Sequence, residues 1–425
     1  MASIIIKELD ETTGGGRNTN FNVVYVPGCM STLPTDWTDI TKAAKKNVPT
    51  LCESIDEFET YFGKKPAQLS QGEKDTNTVP DLSYIYAKEL LSLGLPVLYE
   101  SVNDANGTLP KADEVITKIY TNDGGVFNKL VNKSEHQFKY LTTGGYGNLT
   151  TISNSFGLAK KMNDTAAARG DCIALIDYDK SVATDAGIRE LFTAIKTNFA
   201  TYEGTDCSAI FTPWVNIHCN TYSVGVGKDA TNMVTMPPSY AYLAALAKSI
   251  KTNASWLAVA GATRGQIPNI DGKEPLVPEI TNSIADSLQN RDSISINPVT
   301  NIKPFGRVIW GNRTLKNNAT EGDLTATSFL NIRNMICDVK KVVYEACRKY
   351  TFEQNNDVLW INFKAYIEPT LSQMKAGAGL GGYKIIKVES AKKAKLEAVI
   401  KLYPLYAVED FEITVKMLDD EVTVD

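Results

Sequence analysis

Few residues in this chain have the types and spacing that chemistry needs. Gly377-Ala-Gly379-Leu-Gly-Gly382 matches the GxGxxG of dinucleotide sites. Such a site places the glycines after a strand and at the start of a helix, so that the helix N-terminus faces the pyrophosphate. Here a helical pattern precedes them and a strand pattern follows, which predicts a helix C-cap and tight turn. Gly225-Val-Gly227-Lys228-Asp229 lacks the upstream glycine and the Ser/Thr of a phosphate-binding loop. His218-Cys219 with Cys207 offers metal-ligating types without paired spacing, open to a metal or to a satisfied core cluster. The seven cysteines form no CxxC pair and read as reduced, buried thiols. Only two histidines, His136 and His218, occur, so Ser-His-Asp or Cys-His catalysis has little support.

The best catalytic string is Ile173-Ala-Leu-Ile-Asp177-Tyr-Asp179-Lys-Ser. An apolar strand ending in Asp-x-Asp resembles the nucleophile motif of haloacid-dehalogenase-like phosphohydrolases. That resemblance implies attack on phosphorus by Asp177, proton handling by Asp179, and Mg²⁺ to offset the charge. Asp419-Asp420 would have to supply the metal-binding acidic pair from about 240 residues away, and Ser181 departs from the usual following residue. The other reading is an ordinary strand end whose acids open a loop. Asn-x-Ser/Thr sequons such as Asn148 and Asn253 carry no meaning without secretion.

The chain that must position these residues has 425 of them, enough for two or three domains. With 43% hydrophobic and 22% charged residues, long disorder is not expected. A net charge of −5 argues against a nucleic-acid or anionic-membrane surface. MASIIIKELDET lacks the apolar core of a signal peptide, and no run approaches the ~18 apolar residues of a membrane span. The expectation is a soluble protein made in a cytoplasm, without direct nucleic-acid contact or stable membrane insertion.

Strand and helix patterns alternate along the body, as in a layered α/β domain. Val23–Pro27 reads as a strand, Ser54–Phe62 as a helix capped by Ser54, Pro80–Leu93 as a helix and Pro96–Tyr99 as a strand. Ile173–Ile176 is an apolar strand, Asp185–Phe199 an amphipathic helix, and Ser208–Val215 a strand interrupted by Pro213. Ser239 caps an Ala-rich helix to Lys251. Lys111–Gly145 resists subdivision, and Thr263–Pro298 reads as a long surface excursion. Further on, Phe329, Ile332, Ile336, Val339, Val343, Cys347 and Tyr350 recur at helical spacing. Arg333, Lys340, Lys341, Arg348 and Lys349 stand opposite. A second helix starts at Asp357 as N-cap, with a bend expected near Pro369, and Tyr383–Val388 returns as a strand.

The termini are unusual. Ile4, Ile5 and Ile6 form a β-rich segment before the spacer Glu11–Asn20, which contains Gly14-Gly15-Gly16. Phe411, Ile413, Val415 and Met417 alternate with Glu412, Thr414 and Lys416, and Val422 and Val424 continue more weakly. Tyr383–Lys401 carries six Lys and two Glu, net +4, whereas Leu405–Asp425 carries seven acids and one Lys, net −6. These are either two solvated faces or complementary surfaces that meet between subunits.

Phe305–Leu315, FGRVIWGNRTL, concentrates Trp310, Gly311, Arg313 and Thr314 without a nucleophile, base or metal ligand. It resembles the tryptophan–glycine–arginine–threonine signature of contractile-tail sheath proteins. Other segments match in order: Tyr25-Val-Pro-Gly28, Pro49-Thr-Leu, Asp56–Gly63, Asp81–Tyr84, Leu93–Tyr99, Phe211–Val215, Met236–Ser239, Ile296–Pro298 and Asn355–Trp360. Residues 100–140 and 263–297 match poorly. The resemblance implies a subunit that polymerises helically around an inner tube protein, between a baseplate and a tail terminator, and contracts to drive the tube through an envelope. It implies no catalysis and no cofactor. The place would be a virion tail or tail-like particle, assembled in a bacterial cytoplasm. The expected fold is α/β (α+β), divided into an arm at 1–20, an α/β region at 21–135, a central α/β domain at 136–297, an assembly domain at 298–404 and an arm at 405–425. Both arms are expected to add strands to neighbours. The basic helix residues either face an acidic tube or are solvated. Trp310 and Arg313 either brace the domain junction, with Arg313 bonding backbone carbonyls, or touch a neighbouring subunit.

Overall fold

The computed structural model describes residues 21–30, 47–70, 78–102, 115–116, 118–119, 126–146, 156–180, 182, 184–223, 231–270, 280–289, 293–318, 324–390 and 394–409. Ile4, Ile5, Ile6, Phe411, Ile413, Val415, Met417, Val422 and Val424 lie outside them, as does Asp419-Asp420.

The first half runs β1 (Val24–Gly28), β2 (Thr50–Cys52), α1 (Ile55–Phe62), β3 (Gln68–Ser70), β4 (Thr78–Pro80), α2 (Leu82–Ser92), β5 (Val97–Ser101), α3 (Val126–Leu130), β6 (Tyr140–Leu141), α4 (Gly157–Arg169), β7 (Ile173–Ile176) and α5 (Asp185–Phe199). Then come β8 (Ser208–Thr212), β9 (Val215–His218), β10 (Met233–Met236), α6 (Pro238–Ser249), α7 (Gly261–Arg264), α8 (Asn282–Leu288), β11 (Asn297–Ile302), β12 (Gly306–Ile309), α9 (Leu330–Tyr350), α10 (Asp357–Ala376), β13 (Leu380–Val388) and β14 (Glu397–Pro404).

One eight-stranded sheet dominates, in the order β12-β11-β8-β7-β6-β1-β5-β2. Its inner strands are parallel, with β12 and β2 antiparallel at the edges. Apolar side chains alternate between two layers, as the period of a strand demands. Val24, Val26, Ile173 and Leu175 enter one layer with α2 and α6. Tyr25, Ala174 and Ile176 enter the other with α4, α5 and α8. Burial on both faces explains why IALI reads as a continuous apolar run. The expected boundaries between 135 and 136 and between 297 and 298 both fall inside this sheet, because strands from 24 to 309 belong to it.

Local signals held to within a residue or two. Ser54 caps α1 by accepting from the Glu57 amide. α10 is capped by Asn356, one residue before Asp357. α6 begins at Pro238 with Pro237 at the cap, and Ser239 serves another purpose described below. The 263–298 excursion is corrected in part. Ile280, Ile284, Leu288 and Ile296 are buried in the second layer, where short helical turns hide between polar residues.

After β12 the chain leaves the sheet and builds a smaller core from α9, α10 and the β13–β14 hairpin. α9 serves both cores. Ile332, Met335, Val339, Val342 and Ala346 face α10 and the hairpin, whereas Leu330 and Cys337 pack into the sheet's first layer. The apolar stripe seen in the sequence is therefore only one of two buried faces, and Ile336 and Val343 on it are half-buried.

Candidate assembly interface

The junction between the two cores is built on Asn297. Its side-chain amide accepts from the Arg313 N–H (2.8 Å) and donates to the Arg313 carbonyl (2.8 Å) and the Ile210 carbonyl (3.1 Å). Gly311 lies against it, and a Cβ there would stand 2.7 Å from Asn297 Oδ1 and 2.9 Å from its Cα. Only glycine lets the two backbones approach so closely. Thr314 donates its amide to the Ser328 carbonyl (3.0 Å) and its hydroxyl to the Thr327 carbonyl (2.9 Å). Asn312 pairs with the start of α9 through Asn331 and Leu330. Trp310 is tied by its backbone to Pro298, while the residue is 40% exposed.

Arg313 differs from expectation. Its guanidinium is buried and lies over the Phe329 ring, 4.4 Å from the centroid. It donates to the Glu409 carboxylate, not to backbone carbonyls. Tyr406 meets Phe329 edge-on at 5.1 Å, and the Leu405 amide donates to the Gly379 carbonyl. The conspicuous motif thus holds the root of the C-terminal segment. The sequence placed Asn297 in the Ile296–Pro298 segment and Phe329 on the helical stripe, but gave no sign that these two, Tyr406 and Glu409 gather at the Arg313 junction, because the contacts join residues up to about a hundred positions apart.

The basic residues of α9 divide into two sets. Arg333 is buried and donates to Asp206 (3.1 Å) and Cys207. Lys341 is buried and donates to the Phe138 carbonyl (2.7 Å) and Asp171 (3.1 Å). Both clamp α9 onto the large sheet, so neither is a tube-facing side chain. Asp338 with Lys139 (2.8 Å) and Asn334 with Tyr140 and Tyr242 complete that seam. Lys340, Arg348 and Lys349 are exposed.

The hairpin offers the clearest surface for association. β13 and β14 form a two-stranded sheet, with no third strand among the described residues. Tyr383, Ile385, Leu396, Ile400 and Leu402 face the small core. The outer face sets Lys384 directly opposite Lys401 and Ile386 opposite Val399. Ile386, Val399 and Tyr403 are 39%, 44% and 49% exposed. Like charges directly opposed destabilise a strand pair, and unpaired strand edges are templates for another strand.

Among the catalytic candidates, Asp177 has a clear structural contact. Asp177 is buried, and both carboxylate oxygens are taken by Ser239, from its amide (2.9 Å) and its hydroxyl (2.6 Å). It holds the start of α6 against the end of β7. Burial pushes its carboxyl up to about 7 despite the Ser239 bonds. Asp179 is half-buried. No cluster of three His, Cys, Asp or Glu suited to a metal occurs among the described residues, and His218 Nδ1 instead pairs with Asn232. Six cysteines are buried, with thiol acidity suppressed by that burial where it is shifted, and Cys347 is exposed. The glycine string is a packing plate: Trp256 donates to the Gly377 carbonyl (3.0 Å), and a Cβ on Gly379 would meet its ring at 2.5 Å. No described helix is long and apolar enough to cross a membrane.

No family model matches the chain. It is 26% identical over 131 residues to the tail sheath protein of Vibrio phage KVP40, a match covering 31% of this chain and 18% of that protein's own length. Its fold superposes on a chain of the PVC extracellular contractile injection system sheath complex in the contracted state. The TM-score is 0.59 at 16% identity, over 99% of this chain and 98% of that one. This chain and that chain of a sheath complex share one fold. A chain of the anti-feeding prophage baseplate in the contracted state gives a TM-score of 0.63 at 16% identity, over 98% of each chain. Within this fold, the junction, the hairpin and the start of the C-terminal segment lie together, and the Asp177 strand end lies apart from them as a sheet-to-helix tie.

Proposed function

We propose that this chain is the subunit of a contractile sheath. Copies polymerise helically around an inner tube and contract to drive it through a cell envelope. The observation that carries the reading is the β13–β14 hairpin, a two-stranded sheet with an incomplete outer face. Its inner face packs on α9 and α10, but its edges have no further strand among the described residues and unpaired edges are templates for another strand, so strands from neighbouring copies complete it by β-augmentation. Residues 1–20 and 410–425 supply those strands: Ile4, Ile5 and Ile6 from one end, and Phe411, Ile413, Val415, Met417, Val422 and Val424 from the other. The acidic C-terminal segment complements Lys384 and Lys401. Such links are heterologous and extend as a helix. Lys340, Arg348 and Lys349 are the cations left to face the tube. Baseplate and tail-terminator proteins cap the polymer, and the site of action is a phage or phage-like tail assembled in a bacterial cytoplasm. The work of contraction comes from interface differences between two packed states, so no catalytic group is needed.

Negative-stain microscopy of the purified chain should show sheath-like tubes. Removing residues 1–20 or 410–425 should abolish them and leave a folded subunit. A chain that stays monomeric at high concentration would overturn the proposal.

A further inference from the structure

The root of the C-terminal segment is held in an unusual way. Leu405, Tyr406 and Val408 are 47%, 54% and 69% exposed, so apolar burial does little to hold this stretch down. Instead it is pinned at separate points by residues remote in sequence. The Leu405 amide reaches the Gly379 carbonyl at 3.0 Å. Tyr406 sets its ring edge on Phe329. Glu409 accepts from Arg313.

Arg313 has little freedom to do otherwise. Its backbone is gripped on both sides by the Asn297 amide, and its guanidinium is buried against Phe329. Its Nη1 has no hydrogen-bond partner among the described residues. A buried cation stripped of its counter-charge is costly, so lifting Glu409 away leaves an uncompensated charge. The root is therefore held as firmly by the needs of Arg313 as by its own contacts.

We propose that Arg313 is a positioning residue that sets the take-off direction of the C-terminal segment, and through it the joining of one copy to the next. The inference rests on the reading that residues 410–425 reach a neighbouring subunit. Residues 410–425 span roughly 50 Å when extended, so a small change of angle at the root displaces residues far along the segment by many ångströms. The pair converts a rigid junction of the subunit into an aim for the segment that leaves it.

The test uses Glu409→Gln and Glu409→Lys in the full chain, with Glu409→Asp as the conservative variant. Each is read by polymer yield in sedimentation, thermal melting of the soluble subunit, and amide exchange at Leu405–Val408. Loss of a charge-assisted hydrogen bond should lower polymer yield by about tenfold or more in the Gln and Lys variants. Exchange at the root should quicken, the subunit should melt somewhat lower because Arg313 loses its counter-charge yet stay folded at the assay temperature, and Asp should restore much of the yield. Wild-type yield in Glu409→Lys would overturn the inference, as would a yield loss seen only at temperatures where the variant subunit has begun to melt. A wild-type chain that forms no polymer would overturn the sheath reading instead. Exchange on the soluble subunit then decides the pin alone: unchanged exchange in Glu409→Gln defeats it.

Discussion

Asp177 shows how a residue with catalytic appearance becomes structural. Burial raises its carboxyl to about 7, above the ordinary carboxylate range. Below about pH 4 the group is protonated in both folded and unfolded chains and costs nothing. Between about 4 and 7 the unfolded chain ionises while the folded chain keeps its proton, so stability falls as pH rises and the full cost stands above 7. Asp177→Asn should remove that fall. The stability difference between wild type and variant should shift by up to about 4 kcal/mol between pH 4 and pH 8, measured by urea unfolding. Gly311 gives a second residue-scale prediction. Gly311→Ala would drive a Cβ to 2.7 Å from Asn297 Oδ1, and should cost roughly 1–3 kcal/mol in the same measurement.

At the scale of elements, α9 is the member on which both cores depend. Its seam with the large sheet is ionic: Lys139 with Asp338, Lys341 with Asp171, and Arg333 with Asp206. Lys139 is fully buried, so Asp338→Ala should cost roughly 3–5 kcal/mol by leaving it unpaired. Ile367, buried on α10 against α9, tests the other side. Ile367→Ala should cost roughly 2–5 kcal/mol, and circular dichroism during denaturation would reveal whether the small core unfolds before the sheet. Helical periodicity in the sequence disclosed α9 and its apolar stripe. It gave no sign that Arg333 and Lys341 are buried, because a charged side chain looks the same in sequence whether water or a carboxylate faces it.

For the whole molecule, the outer face of the hairpin separates subunit stability from assembly. Lys384→Glu replaces a like-charged cross-strand pair with Lys401 by an opposite one, which should steady the isolated subunit slightly. The same change removes a positive charge from the face proposed to receive the acidic C-terminal segment. Sedimentation should therefore show a soluble subunit at least as stable as wild type that assembles poorly. Equal assembly would detach charge complementarity from the joining of copies.

Much was legible from local rules. The alternation of strand and helix patterns gave the α/β class, since side-chain periods of 2 and 3.6 register directly in sequence. Caps such as Ser54 and the turn at Gly377–Gly382 were readable because their causes lie within a few residues. The order of short motifs, with Trp310–Thr314 the most specific, pointed to the sheath fold. Tertiary structure alone decided that one sheet spans residues 24 to 309, that Arg313 meets Glu409, and that two of the five basic residues on α9 are buried. Those outcomes depend on which distant segments pack together. Long-range pairing leaves no period in the chain, and a buried ion pair is written in sequence as two unrelated charges.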